Sequence, residues 1–350
     1  MKLIIQIPCY NEEETLPAVL ADLPKSLPGI DEIQVVVIDD GSTDQTANLA
    51  NMHGAIVVSH TGNKGLAAAF QTGLDTCLTL GADIIVNTDG DHQYAGSDIA
   101  ALIKPILDGD CDMVVGDRQT RDVAHFSRRK KRLQAVGSWT MRRLSGTDIP
   151  DAPSGFRALS REAAMRLNVV TRYTYTLETI IQAGKKNLSV RSVPISSRPT
   201  RPSRLFPNVW SYVKRSAATM VRIWAMYEPL KTFALFALFF LLIGAALVGR
   251  FFYFYLVIGE KGTRHIQSLI IALIFSMIGA VLFAVGLLAD LTANNRRLIE
   301  DNLYRTKKLQ YLLSLQAARN GESPHTLLTN LVEPDPYISS ESKIHGGGGL

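Results

Sequence analysis

Two aspartates separated by one glycine follow a short apolar run, and their spacing suggests metal chemistry. They lie in the segment Asn87-Thr88-Asp89-Gly90-Asp91-His92-Gln93. Two carboxylates placed in this way at the end of a strand can both reach one hard cation, and Mg²⁺ and Mn²⁺ prefer oxygen ligands. The segment therefore predicts a Mg²⁺ or Mn²⁺ site formed by Asp89, Asp91 and Gln93, with further positions that phosphate oxygens of a substrate can fill.

Alternating strand and helix patterns predict where these aspartates lie. Short β-rich apolar runs occur at 3–7, 34–38, 55–59, 84–87 and 113–116, and segments of helical spacing lie between them at 13–23, 43–51, 65–80 and 98–108. This order is typical of an α/β fold with a mostly parallel sheet, in which ligands collect at the carboxyl ends of the strands. An Asp-x-Asp pair often forms only a polar turn. A second acidic pair after another strand, Asp39-Asp40, favours a binding site here.

Composition excludes several classes of protein. The chain has 350 residues and a formal net charge of +5, and its 47% apolar and 20% charged residues exclude disorder over the whole length. The three cysteines are widely spaced, which excludes a disulfide scaffold and provides no pair of metal ligands. A reducing compartment fits this cysteine usage best.

Two long apolar segments lie in the last third of the chain. The sequence carries no charged side chain from 232 to 249, continues as an apolar run to 256 after Arg250, and is again uncharged from 267 to 289. Each segment has about the 20 residues that a helix needs to cross a bilayer. A buried core helix is the alternative, but two such segments in tandem favour a hairpin of two transmembrane helices, at about 232–256 and 267–289.

The flanking charges favour an orientation for this hairpin. The N-terminus lacks the apolar stretch of a secretory signal peptide. Basic residues lie on both outer sides of the hairpin, and fewer lie in or beside its connecting loop, namely Arg250, Lys261 and Arg264. By the positive-inside rule this balance favours a multi-pass integral membrane protein with both termini and the N-terminal domain in the cytoplasm. The basic residues on the outer sides are Arg222, Lys231, Arg296, Arg297, Arg305, Lys307 and Lys308.

Apolar residues at three- and four-residue steps between 206 and 227 predict an amphipathic helix. It is interpreted as lying in the membrane interface, with an ordinary packing helix as the alternative. The predicted division of the chain is a catalytic domain at 1–205, the interfacial region at 206–229, the transmembrane helices within 230–291, a cytoplasmic helix at 292–313 and a disordered tail at 314–350.

Four motifs in order resemble those of family 2 glycosyltransferases. They are Ile5-Gln6-Ile7-Pro8-Cys9-Tyr10-Asn11-Glu12-Glu13, Val37-Ile38-Asp39-Asp40-Gly41-Ser42-Thr43-Asp44, Asp89-Gly90-Asp91 and Ser154-Gly155-Phe156-Arg157. With two C-terminal apolar segments, the chain more closely resembles the polyprenyl-phosphate glycosyltransferases, which include bactoprenol glucosyltransferases and dolichyl-phosphate mannose synthases. This resemblance implies a GT-A fold and inverting transfer of a sugar from a nucleotide diphosphate to a lipid phosphate.

The resemblance also implies roles for residues on the donor side. Pro8, Tyr10 and Glu12 would line the nucleotide pocket, and Asp40 would bond to the base with Asp39 beside it. The loop that ends at Gly65 would close on the nucleotide. Asp89 and Gly90 would contact the nucleotide sugar, and Asp89, Asp91 and Gln93 would hold the divalent cation against its diphosphate.

Basic residues are the candidates for the acceptor side. By resemblance, Arg118 and Arg132 would bind the acceptor phosphate, although the basic run 128–132 is equally compatible with a solvated face or with attraction to anionic lipid. The segment 198–204 is similar to the family's Arg-x-x-Gly-x-Ser-Lys, so Arg198, Ser203 and Arg204 join this set, and Arg201 replaces the glycine.

Catalysis is assigned to Asp91, Arg118, Arg198 and Asp151. The lipid phosphate is already anionic near neutral pH, so Asp151 is interpreted as an orienting or charge-balancing residue, with a general base as the weaker alternative.

The expected reaction is transfer of glucose from UDP-glucose to undecaprenyl phosphate at the cytoplasmic face of a membrane. A GDP-mannose-dependent enzyme is the alternative, because the motifs do not distinguish the base or the sugar. A processive polysaccharide synthase is disfavoured because the Gln-x-x-Arg-Trp motif is absent. An inactive membrane scaffold or lipid-binding protein is the alternative of another class. A nucleic-acid partner is not expected, and a homo-oligomer is left open.

Overall fold

The computed structural model describes residues 1–119, 142, 145–170, 175–198, 229–259 and 266–319. They form two compact units, which are treated separately. The first contains the described residues up to 198 together with 303–319, and the second contains the described residues from 229 to 302.

The first unit is built on a seven-stranded sheet. The strands are β1 (Lys2–Cys9), β2 (Glu32–Asp39), β3 (Ile56–Ser59), β4 (Ile84–Asn87), β5 (Met113–Asp117), β6 (Arg157–Ser160) and β7 (Val190–Pro194). Their order across the sheet is β3-β2-β1-β4-β6-β5-β7. Strand β6 pairs antiparallel with both β4 and β5, whereas the other pairings are parallel. The sheet is therefore mostly parallel, as the sequence predicts, with one reversed strand near its centre.

Helices connect and cover the strands. They are α1 (Leu16–Asp22), α2 (Thr46–Met52), α3 (Leu66–Thr79), α4 (Ile99–Leu107), α5 (Arg161–Arg166) and α6 (Tyr175–Lys185). One face of the core is formed by apolar side chains of β1 and β4, which pack with α1 and α4. The strands β1 and β4 are buried on both faces and are accordingly almost continuous in apolar residues, which is typical of parallel strands covered by helices.

The five predicted strands are confirmed within two residues at each end. Strands β6 and β7 and helices α5 and α6 were not predicted. Strand β6 begins with the fully buried Arg157, so it lacks the run of apolar residues that marks the predicted strands.

The second unit contains two helices with the composition of membrane spans. Helix α7 (Pro229–Phe252) continues as a π-helical turn (Tyr253–Val257), and helix α8 runs over Ile266–Arg319. Their mean hydropathies over the most apolar 18-residue windows are 2.5 and 2.7. Large apolar side chains along both are exposed, for example Leu235, Leu242, Met277 and Leu288. Length, composition and exposure together fit a lipid environment better than a protein core.

Small residues bring α7 and α8 together. A Cβ atom on Gly279 would lie 2.7 Å from the Leu241 side chain, and one on Gly286 would lie 2.9 Å from Phe233. Ala237 and Ala272 are almost completely buried between the helices' larger side chains. Close backbone approach through small residues is the usual way in which helices associate in lipid.

Helix α8 has no break where the sequence analysis divides it into a transmembrane helix, a cytoplasmic helix and a tail. Its last part, 303–319, belongs to the first unit and packs against the rest of that unit. Lys307 Nζ lies 2.8 Å from Asp75 Oδ1, and the Tyr304 hydroxyl lies 3.1 Å from Glu162 Oε2. The Arg161 guanidinium stacks 4.8 Å from the centre of the Tyr311 ring and pairs with Asp83.

Lys307→Ala is expected to destabilise this contact, because Lys307 buries its aliphatic stem and is only 9% exposed. The expected loss is about 1–2 kcal/mol of unfolding free energy, measured as a lower midpoint of thermal unfolding in detergent. Arg305→Ala, an exposed position two residues earlier, is the matched control and should unfold like the wild type. Equal midpoints for both variants would contradict this role of Lys307.

Candidate active site

The predicted site residues lie at one edge of the sheet. The loops after β1, β2, β4 and β5 carry Glu12, Asp40, Asp89 and Arg118, respectively. Because β6 is antiparallel, its first residue lies at the same edge, and the segment 151–156 that precedes it joins those loops. The reversed strand therefore brings Asp151 to the predicted metal loop.

Reciprocal hydrogen bonds join the loops after β1 and β2. The Asn11 N–H donates to Ser42 Oγ, and the Thr43 N–H donates to Asn11 Oδ1, each at 2.9 Å. Asn11 adopts a left-handed backbone conformation with φ 54°. Between these contacts the Tyr10 ring is 40% exposed, so it is accessible to a ligand, whereas Pro8 lies buried inside β1.

The Asp40 carboxylate accepts hydrogen bonds from groups at and near the start of helix α3. Its Oδ1 accepts hydrogen bonds from His60 Nδ1 at 2.7 Å and from the Lys64 N–H at 2.9 Å, and its Oδ2 accepts from the Gly65 N–H at 2.8 Å. Gly65 has φ 93°, which a side chain would strain. A carboxylate at a helix N-terminus is stabilising. Asp40 thus positions the predicted nucleotide loop, and its contact with a base remains a prediction, as does that of the neighbouring Asp39.

The loop that follows β4 concentrates negative charge. Desolvation and repulsion from Asp91 raise the pKa of Asp89 to about 7, although Arg118 and Arg157 oppose the shift. The Gln93 N–H donates to Asp91 Oδ1 at 3.1 Å and closes the turn. A carboxylate whose ionisation is disfavoured, next to a second carboxylate, suits a divalent cation, which would relieve their repulsion. The described residues contain no cluster of three or more His, Cys, Asp or Glu side chains, so substrate oxygens and amides would have to complete the coordination.

Gly155 lies directly against Asp89. A Cβ atom on Gly155 would lie 2.7 Å and 2.9 Å from the two Asp89 carboxylate oxygens. The peptide is held on both sides, because the Gly155 N–H donates to the Tyr94 hydroxyl and the Asn87 amide donates to the Gly155 carbonyl. The absence of a side chain therefore lets the 151–156 segment approach Asp89 closely.

Arg157 places a positive charge beneath the site. Its side chain is completely buried, and it donates to the carbonyls of Ser154 at 2.8 Å and Ala152 at 2.7 Å, and to the Thr179 hydroxyl. Desolvation lowers the pKa of Arg157 to about 10, so it remains a cation at neutral pH. Arg157 fixes the segment that carries Asp151 and adds a charge that stabilises nearby anions.

Arg118 and Asp151, both predicted as catalytic residues, form a bidentate ion pair. Arg118 Nε donates to Asp151 Oδ2 at 2.8 Å and Nη2 donates to Oδ1 at 2.9 Å. The Arg118 N–H also donates to Oδ2 at 3.1 Å. Asp151 is only 4% exposed, and its hydrogen bonds to the guanidinium raise the pKa of Arg118. This geometry supports the orienting or charge-balancing interpretation of Asp151.

Arg198 lies beside the predicted metal loop. Its N–H donates to the Gln93 carbonyl at 2.8 Å, and its guanidinium contacts Asp22 and His92. Arg132, Ser203 and Arg204 lie outside the described residues, and so does the predicted interfacial region at 206–229 except for its last residue. Four residues that contact the site, Asp22, His60, Tyr94 and Tyr175, were missed by sequence reasoning, because none of them belongs to a recognised motif.

Comparison with known proteins decides the family. The model of "Glycosyl transferase family 2" matches residues 4–167. The UDP-N-acetylglucosamine–dolichyl-phosphate N-acetylglucosaminyltransferase of Methanococcus voltae is 32% identical over 213 residues, which cover 55% of this chain and 83% of that protein. The chain belongs to glycosyl transferase family 2. The chain is also similar to the polyprenol monophosphomannose synthase of Mycolicibacterium smegmatis, with 28% identity over 208 residues that cover 55% of this chain and 76% of that protein.

The solved structures confirm the GT-A fold of this family 2 member. Glucosyl-3-phosphoglycerate synthase from Mycobacterium tuberculosis, crystallised with Mn²⁺, UDP-glucose and phosphoglyceric acid, superposes with a TM-score of 0.53 at 22% identity. The match covers 64% of this chain and 80% of that structure. The predicted α/β fold class is thus confirmed.

Gly155→Ala is expected to displace Asp89, because the added methyl group would overlap both carboxylate oxygens. Overpacking of this kind costs about 1–3 kcal/mol, and misplacement of Asp89 should lower sugar transfer by roughly a hundredfold. Gly249→Ala, at a helical glycine with open space around it, is the control and should retain wild-type activity. Full activity of Gly155→Ala would contradict the prediction that sugar transfer depends on the position of Asp89.

The raised pKa of Asp89 also predicts a pH dependence of stability without metal. Unfolding returns the carboxyl to its ordinary pKa of 3.8, so its ionised form destabilises the fold above about pH 7, and this penalty disappears as pH falls toward 4. Asp89→Asn removes the charge and should therefore be more stable than the wild type at pH 8 in EDTA. Thermal unfolding measured from pH 8 to pH 5 should show this difference shrinking, and a difference that is independent of pH would contradict the assignment.

Proposed function

We propose that this family 2 glycosyltransferase moves a sugar from a nucleotide diphosphate to a polyprenyl phosphate, with inversion at the anomeric carbon. The observation that carries the proposal is the pairing of Arg118 with Asp151 at the same sheet edge as Asp89 and Asp91, in a chain that also has two exposed apolar helices. A cationic group beside an acidic loop suits two phosphate-bearing substrates that meet there.

The chain's own residues prepare this displacement. Asp151 holds Arg118 through Nε and Nη2, and within the described residues Nη1 makes no hydrogen bond, so it can donate to the acceptor phosphate. An oxygen of that phosphate attacks the anomeric carbon while the nucleoside diphosphate leaves. The nucleophile is anionic, so no side chain has to remove a proton. A divalent cation held by Asp89, Asp91 and Gln93 would neutralise charge on the leaving diphosphate.

UDP-glucose is the proposed donor and undecaprenyl phosphate the proposed acceptor. A uridine nucleotide is supported by two similar proteins, the Methanococcus enzyme, whose name specifies UDP-N-acetylglucosamine, and the mycobacterial synthase, which was crystallised with UDP-glucose. The name of the Mycolicibacterium relative specifies a mannose product, and this supports GDP-mannose as the alternative donor.

The two apolar helices explain how the enzyme reaches its acceptor. A polyprenyl tail is confined to the bilayer, whereas a nucleotide sugar is soluble in water. Helices α7 and α8 are proposed to cross the membrane as a hairpin, and the basic residues at their outer ends, including Lys231, Arg296 and Arg297, favour a cytoplasmic location for the catalytic unit.

A transfer assay with the purified full-length protein in detergent tests the proposal. Radiolabelled UDP-glucose, UDP-N-acetylglucosamine and GDP-mannose are each paired with undecaprenyl phosphate, with and without Mn²⁺. We expect metal-dependent label in the organic phase from UDP-glucose. Label from one of the other two donors alone would correct the sugar but retain the reaction.

Asp91→Ala should lower the rate of this transfer about a hundredfold or more, because one of the two proposed metal-binding carboxylates is lost. Asp110→Asn is the matched control. Its carboxylate pairs with Arg191 at the opposite edge of the sheet, 2.7 Å away, and the variant should be fully active. Folded wild-type protein that yields no lipid-linked label from any donor would overturn the proposed function.

A further inference from the structure

Asp22, a carboxylate outside the recognised motifs, contacts the predicted acceptor-binding Arg198. It is the last residue of helix α1, and its Oδ2 accepts a hydrogen bond from Arg198 Nη1 at 3.0 Å. The same oxygen accepts the Gly96 N–H at 2.9 Å. The two residues are separated by 176 positions in the sequence, so only the fold brings them together.

The backbone holds Asp22 firmly in this place. A Cβ atom on Gly96 would lie only 2.1 Å from the Asp22 carbonyl oxygen, so the end of α1 is pressed against the turn at Gly96. The hydrogen bond from Gly96 and that from Arg198 lower the pKa of Asp22, which is therefore ionised at neutral pH. Asp22 is thus a fixed anion rather than a mobile surface carboxylate.

The same arm of Arg198 is also tied to the predicted metal loop. Nη1 lies 2.6 Å from His92 Nε2 and 3.4 Å from the Tyr94 carbonyl. A guanidinium only donates, so His92 Nε2 is the acceptor in this contact. His92 reaches this position through a left-handed backbone conformation with φ 59°, which is uncommon for a residue other than glycine.

These contacts occupy one arm of the guanidinium. Within the described residues, all side-chain hydrogen bonds of Arg198 use Nη1, and Nε and Nη2 make none. The Nε–Nη2 edge of arginine matches two oxygens of a phosphate in bidentate geometry. Anchoring Nη1 sets the direction in which that edge points.

We propose that Asp22 is a positioning residue for acceptor binding, which anchors Nη1 of Arg198 against the metal loop so that the Nε–Nη2 edge receives the acceptor phosphate. The proposal rests on the function proposed above, transfer to a lipid phosphate, and on the prediction from segment 198–204 that Arg198 binds that phosphate beside Arg118. An anchored arginine loses less conformational entropy when the phosphate binds, so the contribution of Asp22 falls on acceptor affinity and little on donor binding.

Acceptor affinity of the full-length protein in detergent tests this proposal. Farnesyl phosphate serves as a short-chain probe for calorimetric titration in the presence of UDP and Mn²⁺, and undecaprenyl phosphate serves for kinetics. We expect Asp22→Ala to raise the Kd of farnesyl phosphate and the KM of undecaprenyl phosphate about tenfold. The Kd of UDP and kcat should change by less than about threefold.

Two further variants separate positioning from a general structural role. Asp22→Asn keeps an oxygen for the Gly96 N–H and should fold normally, with an intermediate loss of acceptor affinity. In an Arg198→Ala background, Asp22→Ala should cause no further rise in the Kd of farnesyl phosphate, because its effect passes through Arg198. Asp110→Ala, which breaks the exposed pair with Arg191, is the control and should bind the probe like the wild type.

The outcomes are distinct. Unchanged binding of farnesyl phosphate by Asp22→Ala and Asp22→Asn would overturn the proposal. Tighter binding by these variants would overturn it as well, because Asp22 would then compete with the phosphate for Arg198. Additive effects of Asp22→Ala and Arg198→Ala, or an equal loss of UDP affinity, would also overturn it. The proposed function fails in a different way, since wild-type protein would then neither bind farnesyl phosphate nor make a lipid-linked product.

Discussion

The site is organised around a carboxylate whose negative charge its surroundings disfavour. Desolvation and Asp91 raise the pKa of Asp89 to about 7, and the neighbouring groups determine how that charge is balanced. Arg118 is held by Asp151, and Arg157 is held by backbone carbonyls, so both arginines act on Asp89 through space without closing an ion pair over it. Because neither arginine forms a salt bridge with Asp89, the negative charge is partly balanced while the carboxylate oxygens stay available to a cation.

Much of this edge could be predicted from the sequence, because parallel strands place their carboxyl ends side by side. The loops of Glu12, Asp40, Asp89 and Arg118 follow from that rule and from apolar patterns that are easy to recognise. Strand β6 does not follow, because its buried Arg157 breaks the apolar pattern and is stabilised by two carbonyls and a hydroxyl that the fold brings to it. The contact between Asp22 and Arg198 was equally hidden, since neither local spacing nor composition indicates a pair so distant in sequence.

For the apolar helices, too, the sequence pattern predicts the helices themselves but not the contacts between them. Their existence and length follow from the uncharged segments, but their interface depends on Gly279 and Gly286, where the partner helix leaves no room for a side chain. The helix is continuous through 292, where a cytoplasmic segment is predicted to follow the membrane span, and polar residues there, such as Arg296 and Glu300, pair four residues apart and support it.

The position of the Lys307 contact in the chain has a consequence for biosynthesis. The sheet is complete once Pro194 has been synthesised, and chains generally fold from the N-terminus while they are being made. The segment that covers Asp75 and Glu162 follows both apolar helices, so it leaves the ribosome after them. The face of the first unit that carries Asp75 and Glu162 is therefore without this cover until the segment has been synthesised.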